Sequence, residues 1–177
     1  MNEANLKAIS HYLEQTLSPD PAIRKAAEKF LHDHEGQPGY GILLMAATHS
    51  EQIQPHIRQV AAVTFKNFIK NNWGSNDDGS ASKINPTDRA AIKNGIIDLM
   101  VRLPDSLQKQ FSEAISEMGK IDFPQQQWPE LLPKMVGQFA SGDFNIINGV
   151  LRSAHPLFKR YRFEQRSDTL WAEIKYV

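Results

Sequence analysis

Apolar positions recur at helical spacing along almost the whole chain. Leu6, Ile9, Leu13 and Leu17 make one stripe, and Ile23, Ala27, Phe30 and Leu31 make the next. Pro19 and Pro21 break the chain between them. Proline fits a turn or the first turn of a helix, where no amide donor is needed. Asp20 is placed to cap the second helix, because its carboxylate can accept an orphan amide at a helix start. Gly36, Pro38 and Gly39 punctuate the end of this first helix pair.

Three further pairs follow. "YGILLMAATH" is short and nearly all apolar, so it is expected to be buried, and "QPHIRQVAAVTFKNFIKNNW" carries Ile57, Val60, Ala61, Thr64, Phe65 and Phe68 on one side. The third pair sets Ile92, Ile96, Leu99, Met100 and Leu103 before Pro104, and Leu107, Phe111, Ile115 and Met118 after it. The fourth joins "WPELLPKMVGQFA" through Gly142 to a helix with Ile146, Ile147, Val150, Leu151, Leu157, Phe158 and Tyr161 in phase. "SDTLWAEIKYV" begins a ninth helix, and a stop at Val177 inside it implies a fragment or a truncated gene product. Residues 74–86, rich in Gly, Ser, Asn and Asp, read as a long polar loop. No sustained period-two alternation marks a strand.

The pairs recur at intervals of roughly 35 to 45 residues, the period of an α-solenoid. Ile23-Arg24 with Ala26-Ala27 is echoed 34 residues later by Ile57-Arg58 with Ala61-Ala62, each set following a proline. A plain helical bundle has no reason to keep such an interval. The pattern resembles the HEAT-repeat consensus. That resemblance implies that Pro and Asp shape the turn between helices A and B, that Arg bonds to the Asp of a neighbouring repeat, and that Ala lets helices approach. We therefore expect an all-α fold: an α-solenoid of about four HEAT repeats plus the first helix of a fifth. The repeats fall at about 1–35, 36–73, 86–121 and 127–163, with the next starting at 167–177. Asp20, Arg24 and Arg58 are expected to form a structural ladder. Phe65, Trp73, Phe123, Trp128 and Pro129 are expected in core and turn packing.

Composition narrows the function classes. Hydrophobic residues are 41% and charged residues 23%, enough to build a core. The formal net charge is zero, which argues against a dedicated nucleic-acid binder. With no cysteine, disulfide scaffolds and cysteine-ligated zinc are excluded. The N-terminus carries acids and lacks the pattern of a signal peptide, and no apolar stretch approaches the ~20 residues that span a bilayer. The expectation is a soluble intracellular protein with no membrane insertion.

Candidate chemistry is sparse. His32 and His34 lie two apart and would diverge on a helix, while His11, His49, His56 and His155 have no partner at metal spacing, so no metal site is expected. "NDDGSAS" lacks the alternating oxygens and closing Glu of a calcium loop. Glycines stand singly, without a phosphate-binding loop, and Ser153 and His155 have no nucleophile elbow around them. "KRYRFEQR" reads as the solvated end of a helix, its cations complementing the dipole, over a single-stranded nucleic-acid site. We expect no enzyme and no cofactor, but a solenoid surface that binds protein.

Several segments are more specific than a generic HEAT repeat. "LSPDPAIRKAAEKFL", "VTFKNFIKNNW", "DFPQQQWPELL" and "SGDFNIINGVLRSAHPLFKRYR" resemble the N-terminal domain of the importin-β superfamily of nuclear transport receptors. Within it they are most similar to the CAS-type exportins. The glutamines of "FPQQQWP" depart from that pattern and imply a lengthened turn before Trp128. The resemblance implies a receptor, far longer than this chain, that binds Ran in its GTP form together with importin-α. Such a receptor returns importin-α from nucleus to cytoplasm, shuttling through the nuclear pore, with nucleoporins as further partners. It implies that Ran docks on the B helices of the first repeats. The matching Lys66-Asn67 pair is the leading candidate contact, joined by Gln59 and Lys70, with Asn148 and Arg152 as weaker candidates. Another importin-β-type receptor, or a HEAT scaffold in a different assembly, are the alternatives.

Overall fold

A computed structural model describes residues 3–74, 82 and 84–176. The part of the polar loop at 75–81 and 83, including the "NDDGSA" acids, lies outside the described residues. Every regular element among the described residues is helical: α1 (Glu3–Gln15), α2 (Pro21–His34), α3 (Tyr40–His49), α4 (Pro55–Asn72), α5 (Pro86–Met100), α6 (Asp105–Asp122), α7 (Leu131–Gln138), α8 (Phe144–Lys159) and α9 (Asp168–Tyr176). Short 3-10 turns at Phe139–Ser141 and Arg160–Arg162 extend α7 and α8. The chain forms two compact units, Met1–Ile92 and Lys93–Val177, divided within α5.

In the first unit α1 packs on α2, α3 and α4, and α3 packs on α4. The core is built from Leu13, Ala27, Leu44, Ala47, Ala61, Phe65, Phe68, Ile69 and Trp73. Prolines set the helix starts: Pro21 and Pro55 stand at the first positions of α2 and α4. Asp20 caps α2, accepting the Ala22 amide at 2.8 Å. Gly41 of α3 has no Cβ because a ring stands in its place: a Cβ there would meet Phe68 Cε1 at 2.8 Å. Two residues of the expected apolar stripes are solvent-facing, Leu17 at 52% and Ile23 at 42% exposure. They flank the proline turn, where helical phase no longer points them into the core.

In the second unit α6 and α7 pack on α8. Leu107, Phe111, Ile115 and Met118 of α6 are all buried, as their spacing requires. Helix α8 starts at Asp143, whose carboxylate accepts the Asn145 and Ile146 amides. The preceding Gly142 takes φ 66°, a left-handed conformation that suits glycine. Small residues let α8 come close to α6. A Cβ on Gly149 would meet Gln108 Oε1 at 2.9 Å, and one on Gly119 would strike Leu157. Ser153 bonds Ser112 across the contact at 2.8 Å. Of the stripe expected on α8, Val150 and Leu157 are buried, whereas Leu151 and Phe158 are exposed. The periodic apolar face is wider than the surface that α6 and α7 cover.

The glutamine turn before Trp128 has a specific support. Gln126 adopts φ 54°, a left-handed conformation without a glycine. Next to it the Lys93 ammonium pairs with the fully buried Asp122 carboxylate at 2.7 Å and donates to the Gln127 carbonyl at 2.8 Å. The same ammonium lies 5.8 Å from the centre of the buried Trp128 ring. One cation thus ties helix α5, the end of α6 and the turn together.

Candidate partner-binding surface

Helix α4 of the first unit carries four of the expected contact residues. At about 100° per residue, Ile57, Ala61, Ala62, Phe65, Phe68, Ile69 and Asn72 fall on one broad face, and all are buried. Gln59, Val63, Lys66 and Lys70 follow one another on the other side at spacings of four, three and four. Asn67 falls beside Val63, a third of a turn from Lys66. Asn67 and Lys70 are exposed, while Gln59, Val63 and Lys66 are half-buried. Long lysine stems on such a helix can cover apolar surface while the ammonium stays wet. Val63 was not singled out by the sequence, yet it is the apolar residue at the centre of this polar side. Its place in the VTFKN run was the available signal.

Both ends of α4 are fixed by arginines bonded to backbone carbonyls. Arg58 Nε donates to the Thr48 carbonyl at 2.8 Å, in the last turn of α3. Arg24 likewise donates to the Ser18 carbonyl at 3.1 Å, in the turn before α2. This corrects the expected aspartate–arginine ladder: among the described residues each arginine reaches a carbonyl of its own repeat, and Asp20 is spent on the α2 cap. The physical reason is that the last carbonyls of a helix and its following turn lack amide partners, and a guanidinium satisfies them. At the far end of α4, Arg89 lies 4.1 Å over the Trp73 ring and donates to the Trp73 carbonyl, while Ser82 donates to the Asn72 carbonyl at 2.6 Å. Asp88 accepts the Gly39 amide at 2.7 Å and the Asn85 side chain at 2.9 Å, joining the start of α5 to the turn before α3. The sequence reading passed over Arg89 and Asp88. "NPTD" did hold a signal, since Asn directly before Pro is a helix-start cap, and Asn85 Oδ1 accepts the Asp88 amide at 2.8 Å.

A second feature of this unit is an apolar cleft of about 570 Å³ lined by α1, α2 and α3 residues including Ile9, Phe30, His34, Tyr40 and Leu43. Phe30 is sandwiched: its ring centre is 3.5 Å from that of Tyr12 and 3.9 Å from that of His34. His34 Nδ1 is 2.7 Å from the Phe30 carbonyl, so that nitrogen carries the proton. Burial, with the Glu35 carboxylate as a smaller cause, raises the Tyr40 phenol far above its usual range.

The second unit carries the two remaining candidates on α8. Asn148 is half-buried. Arg152 is already engaged: Nη2 is 2.6 Å from the Asp105 carboxylate and Nη1 is 3.1 Å from the Asp105 carbonyl. The basic run after α8 places Arg162 over the exposed Phe163 ring at 6.0 Å. Among the described residues no group of three or more His, Asp or Glu stands close enough to hold a metal ion. No described helix is long and apolar enough to cross a membrane.

Comparison with known proteins shows what this arrangement is similar to. Residues 27–102 match the importin-beta N-terminal domain. The whole chain aligns with exportin-2 of Homo sapiens at 53% identity and with exportin-2 of Drosophila melanogaster at 49%. The chain is thus similar to importin-β-type transport receptors. It spans 18% of the length of these exportin-2 relatives. A solved structure of the exportin Cse1 in its cargo-free, cytoplasmic state superimposes with a TM-score of 0.85 at 34% identity, over 97% of this chain and 18% of that one. Importin beta itself aligns with a TM-score of 0.72 over 94% of the chain and 19% of its own, at 21% identity, a likeness of fold. The all-helical, HEAT-type solenoid class of this chain is thus shared with both neighbours.

Proposed function

We propose that this chain supplies part of the Ran-GTP-binding surface of a nuclear export receptor that returns importin-α to the cytoplasm. The observation that carries the reading is the 53% identity to exportin-2 over the entire chain. The role is binding and not catalysis, and the receptor shuttles between nucleus and cytoplasm, meeting nucleoporins on the way.

The α4 face is the leading contact. Lys66, Asn67, Lys70 and Gln59 offer cationic and amide donors on a helix whose other side is locked into the core. The helix backbone is already held by its buried face, so binding orders the side chains alone, and the positive charge speeds encounter with an acidic partner. Selectivity for the GTP form follows from Ran: the γ-phosphate orders its switch loops, and only the ordered surface fits. Asn148 and Arg152 are secondary contacts, and Arg152 must share or release Asp105 to take part.

The test is capture of the intact receptor from extract with an antibody to residues 142–166, then addition of Ran loaded with a GTP analogue or with GDP. Importin-α retained only with GTP-loaded Ran is the expected result. Ran retention without importin-α would assign a different cargo. Indifference to the nucleotide would leave a HEAT scaffold and overturn the reading.

A further inference from the structure

Serine or threonine followed directly by proline occurs once in this chain, at Ser18-Pro19. The pair lies in the turn between α1 and α2. Pro19 and Asp20 are exposed, Ser18 is half-buried, and the neighbouring Leu17 stands out into solvent. The Ser18 hydroxyl oxygen accepts the Asp20 amide at 3.2 Å, at the surface. Arg24 donates from Nη1 to the carbonyl of the same serine at 3.1 Å, which sets a guanidinium beside it. Ser18 also lines a shallow cleft of about 500 Å³ with His11, His56, Glu14, Leu17 and Ile23.

These features meet two separate requirements. A kinase needs an accessible hydroxyl in a non-helical turn, and proline-directed kinases require a following residue with no amide N–H and a fixed φ. A phosphate, once added, needs a cation at hand. We propose that Ser18 is a phosphoacceptor for proline-directed protein kinases and that Arg24 receives the phosphate. Ser18 Oγ attacks the γ-phosphorus of ATP, the bond to the β,γ-bridging oxygen breaks, ADP leaves, and the hydroxyl proton passes to the kinase base. The product carries about −1.5 to −2 charge at pH 7. Arg24 has four more N–H donors beyond the one on the Ser18 carbonyl, and His11 and His56 add further donors along the cleft. Glu14 and Asp20 oppose the new charge, and the Asp20 carboxylate is already held by the Ala22 amide.

The experiment incubates the full 177-residue chain with ATP and a purified cyclin-dependent kinase complex and maps phosphate by mass spectrometry. One phosphate on Ser18 is expected, absent from Ser18→Ala and added at least ~10-fold more slowly to Pro19→Ala. No incorporation, or incorporation that survives S18A, overturns the acceptor assignment. Phosphorus NMR titration of the product then tests Arg24. Its second ionisation should lie below the ordinary value of about 6 and move back up in Arg24→Gln. If R24Q does not fold, titration of the unsubstituted product at about 1 M salt, where the pair is screened, gives the same reading. A titration that neither change moves overturns the role of Arg24.

Discussion

Helices α4 and α8, which carry all of the expected contact residues, are built in opposite ways. Helix α4 rests on large rings: Phe65, Phe68 and the adjoining Trp73 are buried almost completely. Helix α8 rests on small residues, Gly149 and Ser153, and turns Phe144 (77% exposed) and Leu151 (53% exposed) outward. Their polar residues differ in the same sense. Lys70 and Asn67 of α4 face solvent, whereas Arg152 of α8 is spent on Asp105. A helix held by a deep apolar face can leave its polar side for a partner. A helix held by close backbone approach places its arginine in the seam instead.

The sharpest way to break this comparison is to remove a ring. Phe65→Ala in α4 should cost about 3–5 kcal/mol, whereas Leu151→Ala on α8 should stay within about 0.5 kcal/mol. Urea denaturation of both variants checks this, and similar losses would mean that α8 is held by its outer face as well. Next in size is the buried ion pair of the second unit. Asp122→Ala leaves the Lys93 ammonium without its carboxylate and should cost about 3 kcal/mol or more, read by the same denaturation.

The binding contrast is smaller. Lys66→Ala with Asn67→Ala in the intact receptor should weaken Ran-GTP binding about 10-fold, or 1.4 kcal/mol, and leave its circular dichroism unchanged. Arg152→Ala should weaken it less and lower stability by under about 1 kcal/mol, as for exposed ion pairs. Binding unaltered by the α4 pair, with the fold intact, would remove that helix from the site. The smallest effect belongs to the turn. Gln126→Gly should raise stability by about 0.5–1 kcal/mol, because glycine takes a positive φ without the Cβ penalty. A fall would show that the glutamine side chain supports the turn.

The helices themselves were legible without coordinates. Apolar spacing near 3.6 and prolines at the breaks located α1 to α9, because both signals act within a few residues of chain. The buried set on α6 followed in the same way. Side-chain partners were less legible. Arg24 and Arg58 were expected to seek carboxylates and instead satisfy carbonyls of their own repeats. Which acceptor a long guanidinium reaches depends on helix ends brought together in space. Leu151 and Phe158 look like core residues by period, and only the extent of α6 and α7 decides that they are not.

The amino-acid sequence by itself therefore determined the helical class, most of the buried rings and the polar side of α4. These depend on periodicity and on proline and glycine chemistry, which are local. Tertiary structure decided that Lys93 closes the glutamine turn on Asp122, that Asp88 joins α5 to Gly39, and that Arg152 is tied to Asp105. Each of those links spans 29 to 49 residues. Their formation rests on where whole helices pack, which no short window of sequence contains.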